Sequence, residues 1–581
     1  MSHVADIDTD IAAGAGVDRA LVGNKGAGLA RMHELGLRVP SAFVITTAAC
    51  GAYLREGVLP AGLLGEIDTA LAGLEARRGL RLGDPEAPLL VSVRSGAPVS
   101  MPGMMDTVLD LGVTEATRAG LAERGGRRYA LDSHRRFLES FGTVVLGIEQ
   151  GEFDRAAAES GVAEAGDEER LAAEVAAFVR VIGAHAGTEL LDDPRAQLRL
   201  AVEAVFRSWH SPRAAVYRRL RDIPDDLGTA VVVQAMVFGN LNARSGTGVV
   251  FTRDPNTGEA RPYGDFLFTA QGEDVVAGRH RTLPVAALAD RLPEVWDELR
   301  SALAGLERAT GEMLDLEFTV EDGTLYVLQM RSGKRAAVAA VRIAVEMAGE
   351  GLIGRAEAVS RVSVEQLRRL GRPHLDPTGG HEVAATGLGA SPGIASGRVC
   401  LSADAVSDLL DEGGGADGEG GVLLVRTETS PADIHGMAAA DGILTSRGGL
   451  VSHAAVVARD LGVPAVVGVA ELEVDESARV IRLGDRTVAE GELVTIDGAS
   501  GEVVVGAARA VTPAPCAELA TLLEWADELA GPAAGKRTSD VERLTAAHRA
   551  LESAGLAGIG LPAGRGSDPT RPDSADSARG I

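Results

Sequence analysis

The stretch that decides the fold is ILTSRGGLVSHAAVVARDLGVPAVVGV, residues 443–469. It opens on a short apolar run at 443–445, and a similar run precedes it at 421–425; both predict short buried strands. The two glycines after the second run allow the backbone to turn tightly. Ser452 is a residue type that caps helices, so we predict a helix that begins at His453. The local pattern is strand, turn and helix, with one histidine at the helix start.

The position of His453 has an electrostatic consequence. A protonated imidazole in the first turn of a helix meets the positive end of the helix dipole, which disfavours the cation. A phosphorylated imidazole is favoured there, because its negative charge faces free backbone N–H groups. Arg447, shortly upstream, can offer a bidentate guanidinium to the same phosphoryl oxygens. From the residues alone, His453 is either a phosphate carrier or a packed polar side chain at a helix start.

The composition limits the class of protein. A chain of 581 residues with 45% hydrophobic content predicts several domains with apolar cores. The net charge of −26 argues against a nucleic-acid or anionic-membrane partner. Cys50, Cys400 and Cys516 lie far apart, which predicts neither a zinc site nor a disulfide framework and suits a reducing cytoplasm. The sequence has neither a secretion signal nor an apolar run long enough to span a membrane.

Two stretches in the first hundred residues predict contacts with an anion. Residues 22–28, VGNKGAG, form a glycine-rich turn that opens a helix, and Lys25 within it suits a phosphate site. By itself this pattern is more typical of an ordinary helix start. Residues 89–93 form an apolar strand that ends at Arg94. A buried arginine is costly unless it meets an anion, so Arg94 is a candidate phosphate ligand, with an internal ion pair as the alternative.

The middle of the chain changes from helical to strand patterns. Residues 111–225 are rich in Ala, Glu, Arg and Leu at helical spacing and predict a helical subdomain. Strand patterns return at 229–237. At 245–255 the sequence SGTGVVFTRDP predicts a glycine-rich hairpin, in which Gly246 and Gly248 let the backbone approach a nucleotide triphosphate.

Residues 315–330 predict a hairpin that suits a metal ion. A three-residue loop would place Asp315 opposite Gln329 on one face, with Glu317 beside them, whereas a two-residue loop would send Gln329 to the other face. Two carboxylates and an amide on one wall, with Arg331 just beyond, suit Mg²⁺ bridging phosphate oxygens. The alternative is a solvated strand face.

Several strings resemble those of the pyruvate, phosphate dikinases, a family of phosphoenolpyruvate-utilising enzymes. They are VSVRSGAPVSMPGMMDTVLDLG, VVVQAMVFGN, SGTGVVFTRDP, AQGEDVVAG, LEFT, LYVLQMRSGKR and the loop at 442–468. The resemblance covers about residues 15–510 and implies a multidomain protein of mixed α/β and α+β class. Its implied parts are an ATP-grasp nucleotide-binding domain with a helical insert and a swivelling α/β domain that carries a phosphohistidine.

The resemblance also implies the roles of particular residues. His453 would carry the phosphoryl group, assisted by Arg447, while Asp315, Glu317 and Gln329 would hold Mg²⁺. The residues that would bind ATP and inorganic phosphate are Lys25, Arg94, Gly246, Gly248, Asp315, Glu317, Gln329 and Arg331. The implied reaction converts ATP, phosphate and His453 into AMP, pyrophosphate and phosphohistidine.

Family resemblance and composition together suggest where the domains divide. The expected parts are 1–335 for nucleotide binding with a helical subdomain at about 111–225, 336–383 as helical linker and hinge, 384–510 as the carrier, and 511–581 as the start of a further domain followed by a disordered tail. The family continues with a (β/α)₈ barrel of roughly 250 residues for pyruvate or phosphoenolpyruvate. We therefore expect the acceptor site outside this chain, on a separate barrel protein, and we expect a homodimer.

Two other functions remain open at this point. The chain can be a non-catalytic ATP-binding remnant, or a partner subunit of a complete dikinase. A rifampin-type antibiotic phosphotransferase is less favoured, because no substrate domain lies between Arg335 and Ala384.

Overall fold

A computed structural model describes most of the chain. The described residues are 2–12, 18–99, 101, 105, 107–160, 166–220, 222–276, 282–370, 374–376, 382–411, 421–450, 452–511, 516–531 and 539–555. Residues 371–373 and 377–381 of the expected linker and hinge, and the expected tail from 556 onward, lie outside these ranges. Within them, no helix combines the length and the apolar character of a membrane span.

The first unit, residues 2–335, begins with strands and helices that form one face of the later site. Its first elements are β1 (Val4–Asp6), α1 (Ile7–Ala12), α2 (Arg19–Glu34), β2 (Ala42–Ile45), α3 (Thr47–Glu56), α4 (Leu63–Arg78), β3 (Arg81–Leu82), β4 (Pro88–Leu89), β5 (Val91–Gly96) and β6 (Thr107–Leu111). Helix α2 is interrupted at Gly23, whose φ of 70° is favourable for glycine. A Cβ at Gly23 would lie 1.5 Å from the Gly96 carbonyl oxygen, so the kink lets α2 contact the end of β5.

Helices occupy the region between β6 and the next strand. They are α5 (Arg118–Val144), α6 (Gln150–Glu159), α7 (Asp167–Ala186), α8 (Pro194–Ser208) and α9 (Pro212–Leu220), followed by β7 (Ala230–Ala235). The helical pattern predicted for 111–225 is confirmed in these elements. Strand β7 joins a sheet of order β1-β2-β7-β5-β6, whose apolar core includes Phe43, Val91 and Val233.

A second antiparallel sheet completes the first unit. Its elements are β8 (Gly246–Phe251), β9 (Tyr263–Phe268), α10 (Gly272–Val276), β10 (Leu283–Pro284), α11 (Leu288–Arg291), α12 (Pro293–Thr310), β11 (Leu314–Glu321) and β12 (Thr324–Ser332). The strand order is β10-β9-β8-β11-β12. Helix α12 packs against β11 and β12 through an apolar cluster that includes Leu299, Leu303 and Leu316.

The second unit, residues 382–511, is a compact α/β unit. The chain from 337 to 511 contains α13 (Ala337–Gly349), α14 (Arg355–Arg361), α15 (Val364–Arg369), β13 (His374–Leu375), β14 (Val383–Thr386), β15 (Leu388–Ser391), β16 (Ile394–Cys400), α16 (Ala403–Asp411), β17 (Gly421–Arg426), α17 (Ile434–Ala439), β18 (Gly442–Thr445), α18 (His453–Leu461), β19 (Ala465–Val467), β20 (Leu472–Asp475), β21 (Val480–Leu483), β22 (Arg486–Ala489), β23 (Leu493–Asp497), β24 (Glu502–Val505) and β25 (Ala510–Val511). The two strands predicted around 421–425 and 443–445 are confirmed as β17 and β18. Strands β16, β17, β18 and β19 are parallel neighbours, so the loops after β17 and β18 meet at one edge of the sheet.

Two further features connect the units. Strand β13 pairs with β25, so the segments that enter and leave the second unit lie side by side. Helices α19 (Ala517–Ala530) and α20 (Asp540–Ser553) pack on α13, α14 and α15. Their shared core includes Met347, Leu522 and Leu544. The helical residues that we expected to begin a further domain therefore pack against the linker helices.

Candidate functional site

A cavity of about 620 Å³ lies between the first and second units. From the first unit it is lined by charged and polar side chains on α2, β5, β11 and β12, which include Lys25, Arg94, Glu317, Gln329 and Arg331. From the second unit it is lined by Glu428, Thr429, Ser430, Pro431, His453, Val456 and Val457. The structure thus brings the histidine and most of the predicted anion-binding residues to one cavity.

The β11–β12 hairpin forms one wall of this cavity, and its register differs from the predicted one. The loop is a two-residue turn, in which Asp322 and Gly323 both have positive φ, 47° and 76°. A bulge near Glu317 adds one residue to β12, which returns Gln329 to the face of Glu317. The prediction that Asp315 faces Gln329 was therefore wrong. Asp315 pairs with Arg331, and Glu317 pairs with Gln329.

Charged groups on this wall hold one another in place. Arg94 Nη2 lies 2.9 Å from Glu317 Oε2 and 3.4 Å from Gln329 Oε1. Arg331 Nε donates to Asp315 Oδ2 over 2.6 Å. Burial raises the pKa of Asp315 despite Arg331. Burial also acts to raise the pKa of Glu317, but the neighbouring cations, led by Arg94, hold it below its usual value.

Lys25 lies on the part of α2 that follows the interruption at Gly23, and it lines the same cavity. Burial, reinforced by the neighbouring Arg94 charge, lowers the pKa of Lys25 to about 7. The Lys25 amine forms no ion pair within 4 Å with any described residue, since the nearby Glu317 pairs with Arg94. A charged amine buried among arginines is unfavourable, and a bound anion would remove that cost.

The glycines of the 245–255 segment have a different role from the predicted one. Gly246 and Gly248 lie in the buried strand β8, between β9 and β11, and not in a loop over a ligand. A Cβ on Gly246 would lie 2.3 Å from the Phe266 ring, and one on Gly248 would lie 2.7 Å from the Asp265 carbonyl oxygen. These glycines permit close sheet packing, and Gly248 alone of the two lines the cavity.

His453 lies at the start of α18, as predicted, and Ser452 caps that helix through a bond from the Ala455 N–H. The ring Nδ1 lies 3.1 Å from Thr429 Oγ1. The other nitrogen, Nε2, is buried and has no hydrogen-bond partner among the described residues. Burial lowers the pKa of His453 to about 4, although Asp433 acts in the opposite direction. The ring is therefore neutral at physiological pH, and His453 lines the cavity with Nε2 unbonded among the described residues.

Thr429 is a site residue that sequence reasoning missed. It lies in the loop after β17, while His453 follows β18, and parallel pairing of these strands brings the two loops together. The signal in the sequence was the polar run Thr427–Glu428–Thr429–Ser430 directly after a buried apolar strand. The segment also contains Glu428, which lines the cavity.

Arg447, predicted to assist the histidine, is not brought into the cavity. Its backbone N–H donates to the Thr427 carbonyl, and its own carbonyl accepts from Thr445 Oγ1. These bonds fix the turn with the Arg447 side chain exposed, outside the cavity lining. In this arrangement of the units, the Lys and Arg residues that line the cavity among the described residues belong to the first unit.

Polar contacts hold the second unit over the first. The Leu450 N–H, in the loop that precedes His453, donates to Asp265 Oδ2 over 3.1 Å. Asn256 Nδ2 donates to the Gly389 carbonyl over 3.2 Å. At the far end of α18, Lys334 Nζ lies 2.5 Å from Asp460 Oδ1. The contacts lie at both ends of α18, so they determine the depth at which His453 enters the cavity.

Comparisons with known proteins agree with this architecture. Residues 54–283 match the family model described as pyruvate phosphate dikinase, AMP/ATP-binding domain, and residues 418–501 match that of the PEP-utilising enzyme, mobile domain. A chloroplastic pyruvate, phosphate dikinase of Flaveria trinervia is 46% identical over 520 residues, 88% of this chain and 54% of the relative. The enzyme of Rhizobium meliloti is 43% identical over 572 residues, 95% of this chain and 62% of the relative.

The chain belongs to the pyruvate, phosphate dikinase family. It spans between half and two thirds of the length of these dikinase relatives. The two matched models fall on different sides of the cavity: the first contains Arg94, and the second contains Thr429 and His453. A mixed α/β multidomain fold, with an ATP-binding part and a mobile part, is therefore established for this member of the dikinase family.

Proposed function

We propose that this chain performs the nucleotide half-reaction of the pyruvate, phosphate dikinases. ATP, inorganic phosphate and His453 would give AMP, pyrophosphate and phosphorylated His453. The observation that carries the proposal is that His453, whose imidazole is neutral and whose Nε2 has no hydrogen-bond partner among the described residues, lines the same cavity as Lys25, Arg94 and Arg331. A neutral ring within reach of a phosphate-binding wall has the protonation state that nucleophilic attack requires.

The transfer can be written as two balanced steps. The Nε2 lone pair forms a bond to the β-phosphorus of ATP as the bond to the α,β-bridging oxygen breaks, and AMP leaves. An oxygen of inorganic phosphate then bonds to the γ-phosphorus as the bond from that phosphorus to the β,γ-bridging oxygen breaks. Pyrophosphate leaves, and the β-phosphoryl group stays on His453 with the bridging oxygen. Docking of the second unit supplies the in-line approach, and Lys25 with Arg94 stabilises the developing charge.

A divalent cation forms part of the proposal. Asp315 Oδ1 is buried and finds no hydrogen-bond partner within the described ranges, and Glu317 and Gln329 face the cavity on the same wall. No three acidic, histidine or cysteine side chains converge into a metal cage in the described part of the chain. This set suits Mg²⁺, which is commonly held by one or two carboxylates and completed by phosphate oxygens and water. When bound, Mg²⁺ supplies neutralisation of polyphosphate charge.

The direct test uses ATP labelled at the β-phosphate and the full chain. Incubation with phosphate and Mg²⁺ is expected to place acid-labile, base-stable label on His453 and to release AMP. Peptide mapping under alkaline conditions identifies the labelled residue. Label on another residue, or AMP formation that leaves the chain unlabelled, would count against the proposal.

A first prediction concerns proton uptake by Lys25. Burial lowers the pKa of Lys25 to about 7, so at pH 8 most of the amine is neutral. A polyphosphate favours the charged amine, so binding at pH 8 should take up about one proton per site. The affinity should consequently fall as the pH rises from 7 to 9. Calorimetric titration with an ATP analogue in buffers of different ionisation enthalpy measures the uptake.

The control for that experiment is Lys25→Met, which preserves the length of the side chain. This variant should show no linked proton uptake in the same buffers. Equal uptake by the variant and the wild-type chain would assign the proton to another group.

A second prediction concerns Thr429. Thr429→Val keeps the shape of the side chain and removes the partner of His453 Nδ1, which orients the ring. We expect the rate of His453 phosphorylation to fall by about tenfold to a hundredfold, as for the loss of other groups that orient a functional imidazole. Rapid-quench measurement of labelled protein gives the rate. Thr429→Ser, which retains the hydroxyl, should recover most of it, and equal rates in the valine and serine variants would contradict this role.

The later steps of the proposal involve partners. The second unit would move away from the cavity after transfer and deliver the phosphoryl group to pyruvate or another acceptor. A homodimer and a reducing, cytoplasmic compartment are also proposed. The wide separation of Cys50, Cys400 and Cys516 along the sequence supports the reducing compartment.

A further inference from the structure

Glu428 is an acidic residue of the second unit that the proposed reaction does not yet use. It follows β17 and directly precedes Thr429, whose hydroxyl contacts His453 Nδ1. It lines the cavity between the two units. Glu428 therefore lines the same cavity as His453 and the β11–β12 hairpin.

One oxygen of the Glu428 carboxylate has no partner among the described residues. This oxygen, Oε2, is buried. By contrast, Asp433 in the same loop accepts from both the N–H and the hydroxyl of Ser430. On the facing wall, Glu317 is held by Arg94 and Gln329. A buried and unpaired carboxylate oxygen is unfavourable, so a ligand that binds it would stabilise the docked arrangement.

The neighbourhood indicates which kind of ligand this is. The first unit presents Lys25, Arg94 and Arg331 to the cavity, which suits a polyphosphate. A polyphosphate and the Glu428 carboxylate in one cavity of about 620 Å³ repel each other unless a cation lies between them. A hard divalent cation can be coordinated by carboxylate and phosphate oxygens at the same time, which removes the repulsion between them.

We propose that Glu428 is a metal ligand supplied by the second unit, so that the divalent cation bound with the polyphosphate is held from both sides of the cavity. Glu317 and Gln329 contribute from the first unit, and Glu428 contributes when the second unit docks. The inference rests on the proposed function, since it assumes a polyphosphate in the cavity. Its consequence is that metal and nucleotide together favour docking of His453.

The test uses the full chain, Mn²⁺ as the probe and an ATP analogue with a methylene group between the α- and β-phosphorus atoms. Electron paramagnetic resonance measures the Kd of Mn²⁺ in the presence of the analogue. Glu428→Gln keeps the size and removes the charge, and it should raise this Kd by about tenfold or more. Glu428→Asp, which retains a carboxylate, should recover part of the affinity. The matched control is Glu476→Gln, an exposed residue of the same unit that pairs with Arg426, and it should have no effect.

A second measurement separates a metal ligand from a structural residue. Without divalent cations, removal of the Glu428 charge relieves repulsion, so Glu428→Gln should bind the analogue as tightly as the wild-type chain or more tightly. General damage to the site would weaken binding both with and without metal. Weaker binding in both conditions, or an Mn²⁺ Kd within twofold of wild type, would overturn the inference.

The same samples distinguish this inference from the proposed function. If the wild-type chain phosphorylates His453 with ATP and Glu428→Gln retains the normal Mn²⁺ affinity, the role of Glu428 is wrong and the half-reaction stands. If the wild-type chain does not phosphorylate His453, the proposed function fails and this inference fails with it.

Discussion

His453→Ala is expected to abolish phosphorylation of the chain while ATP binding persists. The variant removes the nucleophile, and no other described nucleophile shares its setting of a neutral ring with a free nitrogen in the cavity. The polyphosphate wall on β11 and β12 does not depend on the imidazole, so the Kd for ATP should change by less than about threefold. Isotope incorporation and calorimetry measure the two quantities on the same preparation.

The same variant separates the half-reaction from a non-catalytic role. A remnant or partner subunit that only binds ATP should behave identically with alanine at position 453. His435→Ala is the control, because His435 is exposed, belongs to the same unit and contacts Asp404 away from the cavity. If His453→Ala formed AMP at the wild-type rate, His453 could not be the covalent carrier of the phosphoryl group.

The second large effect is expected for Arg94. Arg94→Met removes a cation that faces the cavity and leaves Glu317 without its closest charged partner. We expect the rate of His453 phosphorylation to fall by about 10²–10³, the range seen when a preorganised charge-stabilising donor is lost. Arg94→Lys keeps the positive charge but loses the bidentate guanidinium, so its rate should lie between those of the wild-type chain and Arg94→Met. Single-turnover rates at saturating ATP measure the loss.

Control variants exclude general damage to the first unit. Arg38→Met removes another cation of that unit, half-exposed and paired with Glu298 over 3.2 Å, and it should leave the rate within about twofold. Thermal unfolding of Arg94→Met checks that the chain remains folded. A rate for Arg94→Met within threefold of wild type would show that Arg94 is only a structural partner of Glu317.

Local patterns predicted the fold better than they predicted contacts between distant segments. The strand–turn–helix around His453 was confirmed because the cap, the glycine turn and the apolar runs are all close in sequence. Thr429 was missed because its contact with His453 joins two loops that only parallel strand pairing brings together. The orientation of the Arg447 side chain depends on backbone bonds to a neighbouring loop, which no local pattern reveals.

The β11–β12 hairpin shows how turn length and a bulge together change the pairing of two strands. Asp315, Glu317 and Gln329 do share a face, but through a two-residue turn combined with a bulge. The shorter turn and the extra residue in β12 each shift the register by one, so Gln329 lies opposite Glu317 and Arg331 lies opposite Asp315. Gly246 and Gly248 were misinterpreted because a close-packed strand and a ligand-binding loop both select glycine, for the same steric reason.

The pairing of β13 with β25 has a mechanical consequence. The chain enters the second unit through β13 and leaves it through β25. Because these two strands pair, both connections lie at one point, and we call this pair of strands the tether. Rotation of the second unit about the tether would carry His453 along an arc and would leave the strand pairing within the unit intact. A flexing tether, with the unit itself rigid, would set the reach of the histidine, and shortening that tether would restrict where the phosphoryl group can be handed over.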